Sequence, residues 1–416
     1  MTNERNGERQ AVFLVGGLGS RLGNLTEKTP KPLLEIAGRP FLDYLVEDVA
    51  RHGYRHMLFL AQFEADHVRD YCAKSPTFQR FGIKAEVAEE PNRAGTGGAL
   101  WYARDKLHDQ FLLLNGDSWL GGNYLALEHS LNNSTTAECV MALRHVEDTG
   151  RFGCAKFDGV HVSSFAAHVE ANGPGMINGG VYSMRRSIID RAEPICSLEA
   201  DMLPAVAAAG RLIGYQFDGY FIDIGVPETY AEAQAGFAES VRRPALFLDR
   251  DGVLNIDHGH VGSIDRFDWV DGAIAAVRAA NDRGYFVFVV TNQAGVAKGY
   301  YDEAAVRRLH VYMQEELARH GAHVDEYRYC PYHIDGNVAA YRVDSQDRKP
   351  KPGMLLDLAN RWPIDMSRSI VIGDKQTDMQ AANAVGIAGQ IFDGLQALDK
   401  FLYTHVFGVN TCREVY

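Results

Sequence analysis

Two aspartates close the apolar run in PALFLDRDGVLN (244–255): Asp249 and Asp251 stand two apart, and Gly252 opens the loop behind them. A helix cap needs one carboxylate. Two at this spacing let one attack a phosphorus while the other exchanges a proton with the leaving oxygen. Three more polar sets follow: Thr291, Asn292 and Gln293 in VVTNQ, Arg348 and Lys349 in RKPKPGM, and Asp374, Lys375 and Asp378 in VIGDKQTD. The N-terminal half carries a different kit. After AVFLVGG (11–17), Gly16, Gly17 and Gly19 free the backbone to fold its N–H groups around phosphate oxygens. Arg21 and Lys31 add charge suited to a triphosphate, and Pro30 and Pro32 stiffen the chain around Lys31. This is neither the Walker loop, since GK[ST] is missing, nor the dinucleotide fingerprint, since Arg21 and Leu22 stand where small residues are needed. Asp117 and Asp223 close runs far apart in the chain, and two such carboxylates can clamp one Mg²⁺, a hard cation that favours oxygen ligands.

Elements must bring these residues together. HMLFLA (56–61), FLLLNGD (111–117) and ECVMAL (138–143) read as strands alternating with helices. FLDYLVEDVARHG (41–53) places Phe41, Leu42, Leu45, Val46 and Val49 on one helical face, with Gly53 as its stop. Further on, ALFLD, YFVFVVTN (285–292) and SIVIGD (369–374) are continuous apolar runs, the pattern of parallel strands buried on both faces. Both halves therefore read as α/β, with polar residues massed just beyond strand ends, where open α/β sheets bind ligands. QAGFAESVRRP (234–244) reads as a helix end stopped by Pro244, which divides the chain into domains 1–243 and 244–416. No repeat of 20–50 residues suggests a solenoid or propeller.

The 416 residues suffice for two or three domains. Hydrophobic and charged fractions of 46% and 23% exclude wholesale disorder. The balance of 42 basic against 54 acidic residues, −12 at neutral pH, argues against a general nucleic-acid or anionic-membrane binder. No apolar run approaches the roughly 18 residues of a membrane helix, and MTNERNGERQ is too polar for a signal peptide. Six scattered cysteines without a CxxC read as reduced thiols, so a cytoplasmic location is expected.

The string Gly16, Gly17, Gly19, Arg21, Leu22, Thr26, Pro30, Lys31, Pro32, Leu33 resembles the sugar-phosphate nucleotidyltransferases, and the resemblance runs over roughly 9–240. It implies a Rossmann-like domain in which a sugar 1-phosphate oxygen attacks the α-phosphorus of a nucleoside triphosphate and pyrophosphate leaves. EEPNRAGTGGAL (89–100) matches the segment that contacts base and sugar, through Glu90, Gly95, Thr96 and Gly97. Asp117 and Asp223 match the Mg²⁺ ligands, Asn178 and Gly179 the sugar-binding strand, and Glu199 the acidic segment on the sugar side. One feature departs from the family. Its Glu-Lys pair, whose lysine helps hold the sugar phosphate, falls on Ala167-His168 or Glu170-Ala171, with no lysine.

The C-terminal set resembles the haloacid dehalogenase superfamily of phosphatases over about 245–400. The resemblance implies Asp249 as nucleophile, Asp251 as general acid/base, Thr291 and Asn292 on the phosphoryl side, and Lys349 as charge neutraliser. It also implies Arg348 and Lys375 toward substrate, and Mg²⁺ at Asp249, Asp251 and Asp374. DRDGVLN, TNQAGVAKGYY and KPKPGM narrow it to the branch of histidinol and heptose-bisphosphate phosphatases, with little or no cap domain. That branch carries a structural zinc. Here Cys330 and His333 remain, but NVAAYRVDSQDRKP adds no cysteine, and two ligands cannot close a tetrahedral site. No zinc is expected, and Cys330 reads as a packed thiol.

Joined in one chain, the two halves resemble bifunctional enzymes of nucleotide-activated heptose synthesis. The resemblance implies a phosphatase acting on D-glycero-D-manno-heptose 1,7-bisphosphate and a transferase coupling the 1-phosphate to a nucleotide. GTP is favoured because GTGGAL leans toward the guanylyl branch. The expected partners are that nucleotide and a phosphorylated heptose, without nucleic acid or membrane; a homo-oligomer is left open. The alternative keeps both chemistries but uses another sugar 1-phosphate with UTP, CTP or dTTP beside a histidinol-phosphate-like phosphatase. A catalytically dead transferase half is a third reading, against which Lys31, Asp117 and Asp223 speak.

Overall fold

The computed structural model describes residues 8–17, 19–62, 64–150, 152–167 and 173–408. The chain separates into two compact units, one through Val241 and one from Arg242. Among the described residues no helix is long and apolar enough to cross a membrane.

The first unit is built on a nine-stranded mixed sheet. Four strands lie parallel in the order Lys84–Glu89, His56–Ala61, Gln10–Leu14, Gln110–Asn115. Gly175–Arg185 continues the sheet antiparallel to Gln110–Asn115, followed by Cys139–Val146 and Leu212–Gln216. The central strand, QAVFL, has four of its five residues buried, as a strand covered on both faces must. Phe41–Arg51 forms the expected amphipathic helix: Phe41, Leu42, Leu45, Val46 and Val49 are all buried, and Gly53 takes a positive φ of 88° just beyond it.

A separate two-stranded ribbon pairs Ser118–Leu120 antiparallel with Phe221–Asp223, setting Asp223 opposite Ser118. Trp119 and Ile222 are buried in it, and the Trp119 ring meets Phe237 of helix Pro227–Ser240 edge-on at 5.4 Å. This small ribbon brings the chain after Asp117 back beside Asp223.

The second unit has five strands, all parallel, in the order Glu326–Cys330, Phe286–Asn292, Ala245–Leu248, Ile370–Gly373, Ala388–Ile391. The continuous apolar runs follow from two covered faces. Leu246, Leu248, Val287 and Val289 join a core with Val277, Leu309, Met313 and Leu317 from the helices. On the other face Phe247 stacks on Phe288 at 5.4 Å, and Phe288 meets Trp362 at 5.6 Å. Truncating such a ring costs about 3–5 kcal/mol. Between Asp251 and helix Ala273–Asp282 the chain makes turns, isolated bridges of Asn255 to Asp251 and Trp269, and the short 3-10 segment Ile264–Arg266. The strand order reverses direction at Ala245–Leu248, the place where such sheets open a crevice.

Candidate active sites

In the first unit the four parallel strands end on one edge, and a cleft of about 500 Å³ lies there. Its lining includes Gly16, Gly17, Gly19, Arg21, Lys31, Glu90, Gly95, Thr96, Asp117 and Glu199. Thr26 pins the glycine loop, its hydroxyl donating to the Gly19 and Gly23 carbonyls at 3.0 and 3.3 Å. Lys31 is buried between its prolines and its Nζ donates to Asp117 Oδ2. The Ser118 hydroxyl lies between the two acids, 3.3 Å from Asp117 Oδ1 and 3.0 Å from Asp223 Oδ2. The Gly225 N–H donates to Asp223 Oδ1 at 2.7 Å. Burial and the neighbouring Asp117 raise the Asp223 pKa above the ordinary carboxylate value, against the pull of Lys31. Two carboxylates brought this close are a fitting donor set for a divalent cation.

The segment 89–100 is held from behind. Gly97 and Gly98 donate N–H bonds at 3.1 Å to the Cys196 carbonyl, and the Thr96 hydroxyl donates to Glu199 Oε2 at 2.7 Å while accepting from the Leu198 N–H. Gly95 has φ 78°, and a Cβ on it would lie 2.5 Å from the Cys196 oxygen. Thr96 and Glu199 therefore fix each other as well as facing the cleft.

Asn178 and Gly179 lie on the strand Gly175–Arg185. The Asn178 side chain accepts from the Gly180 N–H at 3.0 Å and donates to the Tyr182 hydroxyl, at an irregularity in strand Gly175–Arg185. A Cβ on Gly179 would sit 2.4 Å from the Leu120 side chain. His168, Glu170 and Ala171, onto which the family's Glu-Lys pair falls, lie outside the described residues.

In the second unit Asp249, Thr291, Asn292 and Asp374 stand at or just beyond the ends of three adjacent strands. Lys349 is buried among them. Its Nζ lies 3.0 Å from Asp249 Oδ2 and 2.6 Å from Asp378 Oδ1, and donates to the Val290 carbonyl at 2.7 Å. Burial alone would lower the Lys349 pKa, but Asp249 and Asp378 outweigh it and hold it above the ordinary lysine value. Asn292 bonds the Lys349 backbone through both its amide oxygen and its amide nitrogen.

Asp249, Asp374 and Asp378 each place an oxygen within 4.8 Å of the others. Asp374 Oδ1 is buried and has no hydrogen-bond partner among the described residues. Burial raises the Asp374 pKa, with Asp249 adding to the effect and Lys375, 3.1 Å away, opposing it. An all-oxygen set with an unused buried oxygen fits a hard cation.

The Asp251 carboxylate is not part of that group. Arg250, wholly buried, donates to both its oxygens at 2.9 Å, joined by Asn255 at 3.0 Å and Gln293 at 2.8 Å. Gln293 also donates to the Thr291 hydroxyl at 2.9 Å and accepts from the Tyr301 hydroxyl at 2.8 Å. Arg250, Asn255 and Tyr301 escaped the sequence reading; only the charge of Arg250 between two aspartates could have signalled its pairing. Arg348 is half-buried, donating to the Tyr332 carbonyl at 3.2 Å. Lys375 bridges toward Asp257 at 3.3 Å. The Cys330 thiol is buried, which raises its pKa, and it faces the Tyr332 carbonyl; His333 Nδ1 accepts from the Asp335 N–H at 3.0 Å.

Fold and sites define a chain of two α/β enzyme units, a nucleotidyl transferase followed by a haloacid dehalogenase-type hydrolase. The nucleotidyl transferase family model matches residues 10–240, and the HAD-hydrolase-like model matches 346–391. The chain belongs to the nucleotidyl transferase family through its first half and, through its second, to a family of sugar-bisphosphate phosphatases. A D-glycero-beta-D-manno-heptose-1,7-bisphosphate 7-phosphatase of Rhodopseudomonas palustris is 51% identical over 165 residues, 40% of this chain and 91% of that protein. The protein of the same description from Escherichia coli K12 is 44% identical over 148 residues, 36% of this chain and 78% of that one. Among solved structures, HddC from Yersinia pseudotuberculosis is 31% identical with a TM-score of 0.49, covering 55% of this chain and 99% of its own.

Proposed function

We propose that this chain performs two steps of nucleotide-activated heptose synthesis. The second unit removes the 7-phosphate of D-glycero-D-manno-heptose 1,7-bisphosphate, and the first couples the resulting 1-phosphate to GTP, releasing pyrophosphate. One observation carries the reading: a unit 51% identical to a heptose-bisphosphate phosphatase is joined to a member of the nucleotidyl transferase family. The product class of the one is the substrate class of the other.

In the phosphatase unit, Asp249 Oδ attacks the 7-phosphorus and the bond to the sugar oxygen breaks. Asp251 gives the proton that oxygen needs and later takes one from the water that hydrolyses the aspartyl phosphate. Arg250, Asn255 and Gln293 hold the Asp251 carboxylate at a fixed place beside the site. Lys349 balances charge next to Asp249, and Thr291 steadies the phosphoryl oxygens. Asp249 and Asp374 would hold Mg²⁺, with Asp378 kept for Lys349 and Asp251 kept for the proton.

In the transferase unit both reactants are anionic, so positive charge and backbone donors matter more than a base. The Gly16–Gly19 loop, Arg21 and Lys31 would cradle the triphosphate, and Asp117 and Asp223 would hold Mg²⁺. When bound, the ion in each unit supplies neutralisation of phosphoryl oxygens.

The test is direct. The full chain with heptose 1,7-bisphosphate, GTP and Mg²⁺ should give GDP-heptose, with one phosphate and one pyrophosphate per turnover. Failure to couple GTP to heptose 1-phosphate, with efficient use of another sugar 1-phosphate and UTP, would overturn this reading in favour of the alternative.

A further inference from the structure

Arg250 spends one edge of its guanidinium on Asp251. Its Nε and Nη2 donate to Oδ1 at 3.2 and 2.9 Å, and Nη2 also reaches Asp251 Oδ2, the Val261 carbonyl and Gln293 Oε1. A guanidinium is a planar fork, so Nη1 points away from the acid that the other two nitrogens hold. That nitrogen is buried and has no hydrogen-bond partner among the described residues. An unpaired donor on a buried charged group is costly enough to call for a partner.

The same layer holds a second such group. Leu246, Leu248, Val287 and Val289 share a core with Leu309 and Met313 of helix Glu303–Arg319. Alternate residues of a strand share a face, so Arg250, two beyond Leu248, enters the space under that helix, as does Tyr327 opposite Val289. His310, next to Leu309 on the helix, stacks on the Tyr327 ring at 4.7 Å and meets Tyr329 edge-on at 5.8 Å. It is 6% exposed, and its Nε2 is buried without a hydrogen-bond partner among the described residues. Burial and, after it, the Arg250 charge lower the His310 pKa to about 3. The imidazole is therefore neutral, and one of its ring nitrogens accepts. A donor and an acceptor thus lie buried under one helix, each unpaired and not bonded directly to the other.

We propose that His310 is a positioning residue for Asp251: it accepts, through one internal water, from Arg250 Nη1 and so fixes the plane of the guanidinium that holds the acid. The water accepts from Nη1–H and donates to Nε2, two of the two to four bonds that an internal water makes. The role presupposes Asp251 as the acid that protonates the departing sugar oxygen. Its effect must then depend on the leaving group. A sugar alkoxide cannot depart without a proton, whereas a nitrophenolate can, so the aim of the acid matters for the first and hardly for the second. A merely structural loss slows both alike.

The experiment compares kcat/KM of the full chain with Mg²⁺ for heptose 1,7-bisphosphate and for p-nitrophenyl phosphate. His310→Phe keeps a ring on Tyr327 and removes the acceptor; it should lower the ratio of the two values about tenfold. His310→Gln, which returns an acceptor, should recover most of that ratio. A crystal structure of the wild type should show one water within hydrogen-bond distance of both Arg250 Nη1 and His310 Nε2. An unmoved ratio in His310→Phe, or no water between the two groups, would overturn the role. If His310→Phe proves insoluble, the wild-type crystal structure decides. Asp251→Asn should depress the same ratio further. If it does not, the acid assignment itself falls; a collapse there beside an unmoved His310→Phe ratio removes only the part given to His310.

Discussion

Asn292 grips the backbone of Lys349 from both sides: its Oδ1 accepts from the Lys349 N–H and its Nδ2 donates to the Lys349 carbonyl, each at 3.0 Å. The residue that ends one strand thus fixes where the lysine from a distant segment points. Those two bonds hold the backbone that carries the Lys349 ammonium beside Asp249.

Asn292→Ala should therefore lower phosphatase kcat about tenfold or more, with a smaller change in KM, because the ammonium loses its aim while the cleft stays open. Loss of two hydrogen bonds also costs stability, on the order of 1–3 kcal/mol. Steady-state kinetics on both reactions checks this. An equal loss of nucleotidyl transfer would contradict a role confined to the second unit.

Asp249→Asn should abolish phosphate release and leave nucleotidyl transfer from heptose 1-phosphate within a few-fold of wild type. Given only the bisphosphate and GTP, that variant should form little GDP-heptose. Glu199 lines the transferase cleft, and a 7-phosphate brought near it would meet like charge. Product analysis by mass decides the order; a 7-phosphorylated GDP-sugar formed at the wild-type rate would refute it.

Asp223→Ala should cost nucleotidyl transfer about 100-fold or more, since one carboxylate alone does not fix a bridging ion. Near-normal turnover at millimolar Mg²⁺ would remove Asp223 from the metal site. Ser118→Ala, which loses only the hydroxyl between the two acids, should cost far less.

Acid stability of the first unit should depend on Asp43. Burial works to raise its pKa, but hydrogen bonds from Ser75, Arg39 and Thr77 together with the Arg39 charge bring it below the ordinary value of 3.8. A depressed carboxylate contributes stability that is fully present above its unfolded pKa and is lost as pH falls through the folded one. The window opens near 3.8 and extends downward. Asp43→Asn should be destabilised at neutral pH and lose less than wild type on acidification through that window. Denaturant midpoints across the range report it; parallel pH profiles for the two chains would exclude the network.

The phosphatase should need no zinc. Turnover with Mg²⁺ should survive a zinc-selective chelator, and one tightly bound zinc per chain, lost on Cys330→Ser, would contradict this.

Much of the architecture was legible because burial on two faces forces a continuous apolar run: Phe286–Asn292 and Ile370–Gly373 lie within one residue of the stretches read from hydropathy. Residues at such strand ends follow from the same logic, so Asp249, Asp374 and Asp117 were findable. Orientation was not. Nothing in DRDGVLN says that Asp251 turns toward Arg250, because that choice depends on the turn that folds Asn255 back onto it and on Gln293 arriving from a distant segment. Nor does INGGVYSM say that the Asn178 amide bonds the backbone of an irregular strand. Asp378 was seen beside Asp374 but given no task. Its pairing with Lys349 needs a segment about thirty residues earlier to fold across the sheet edge.

The ribbon that sets Asp223 opposite Ser118 is three residues long on each side. Successive side chains on a strand face opposite ways, so a slip of one residue would turn Asp223 from Asp117 and present Ile222 in its place. Such a slip would leave the nine-stranded sheet and its spectroscopic signature intact. A preparation can then be folded by circular dichroism and still contain a silent fraction. The titrated number of competent sites per chain, rather than helix or strand content, is the quantity that reports whether this ribbon has closed in register.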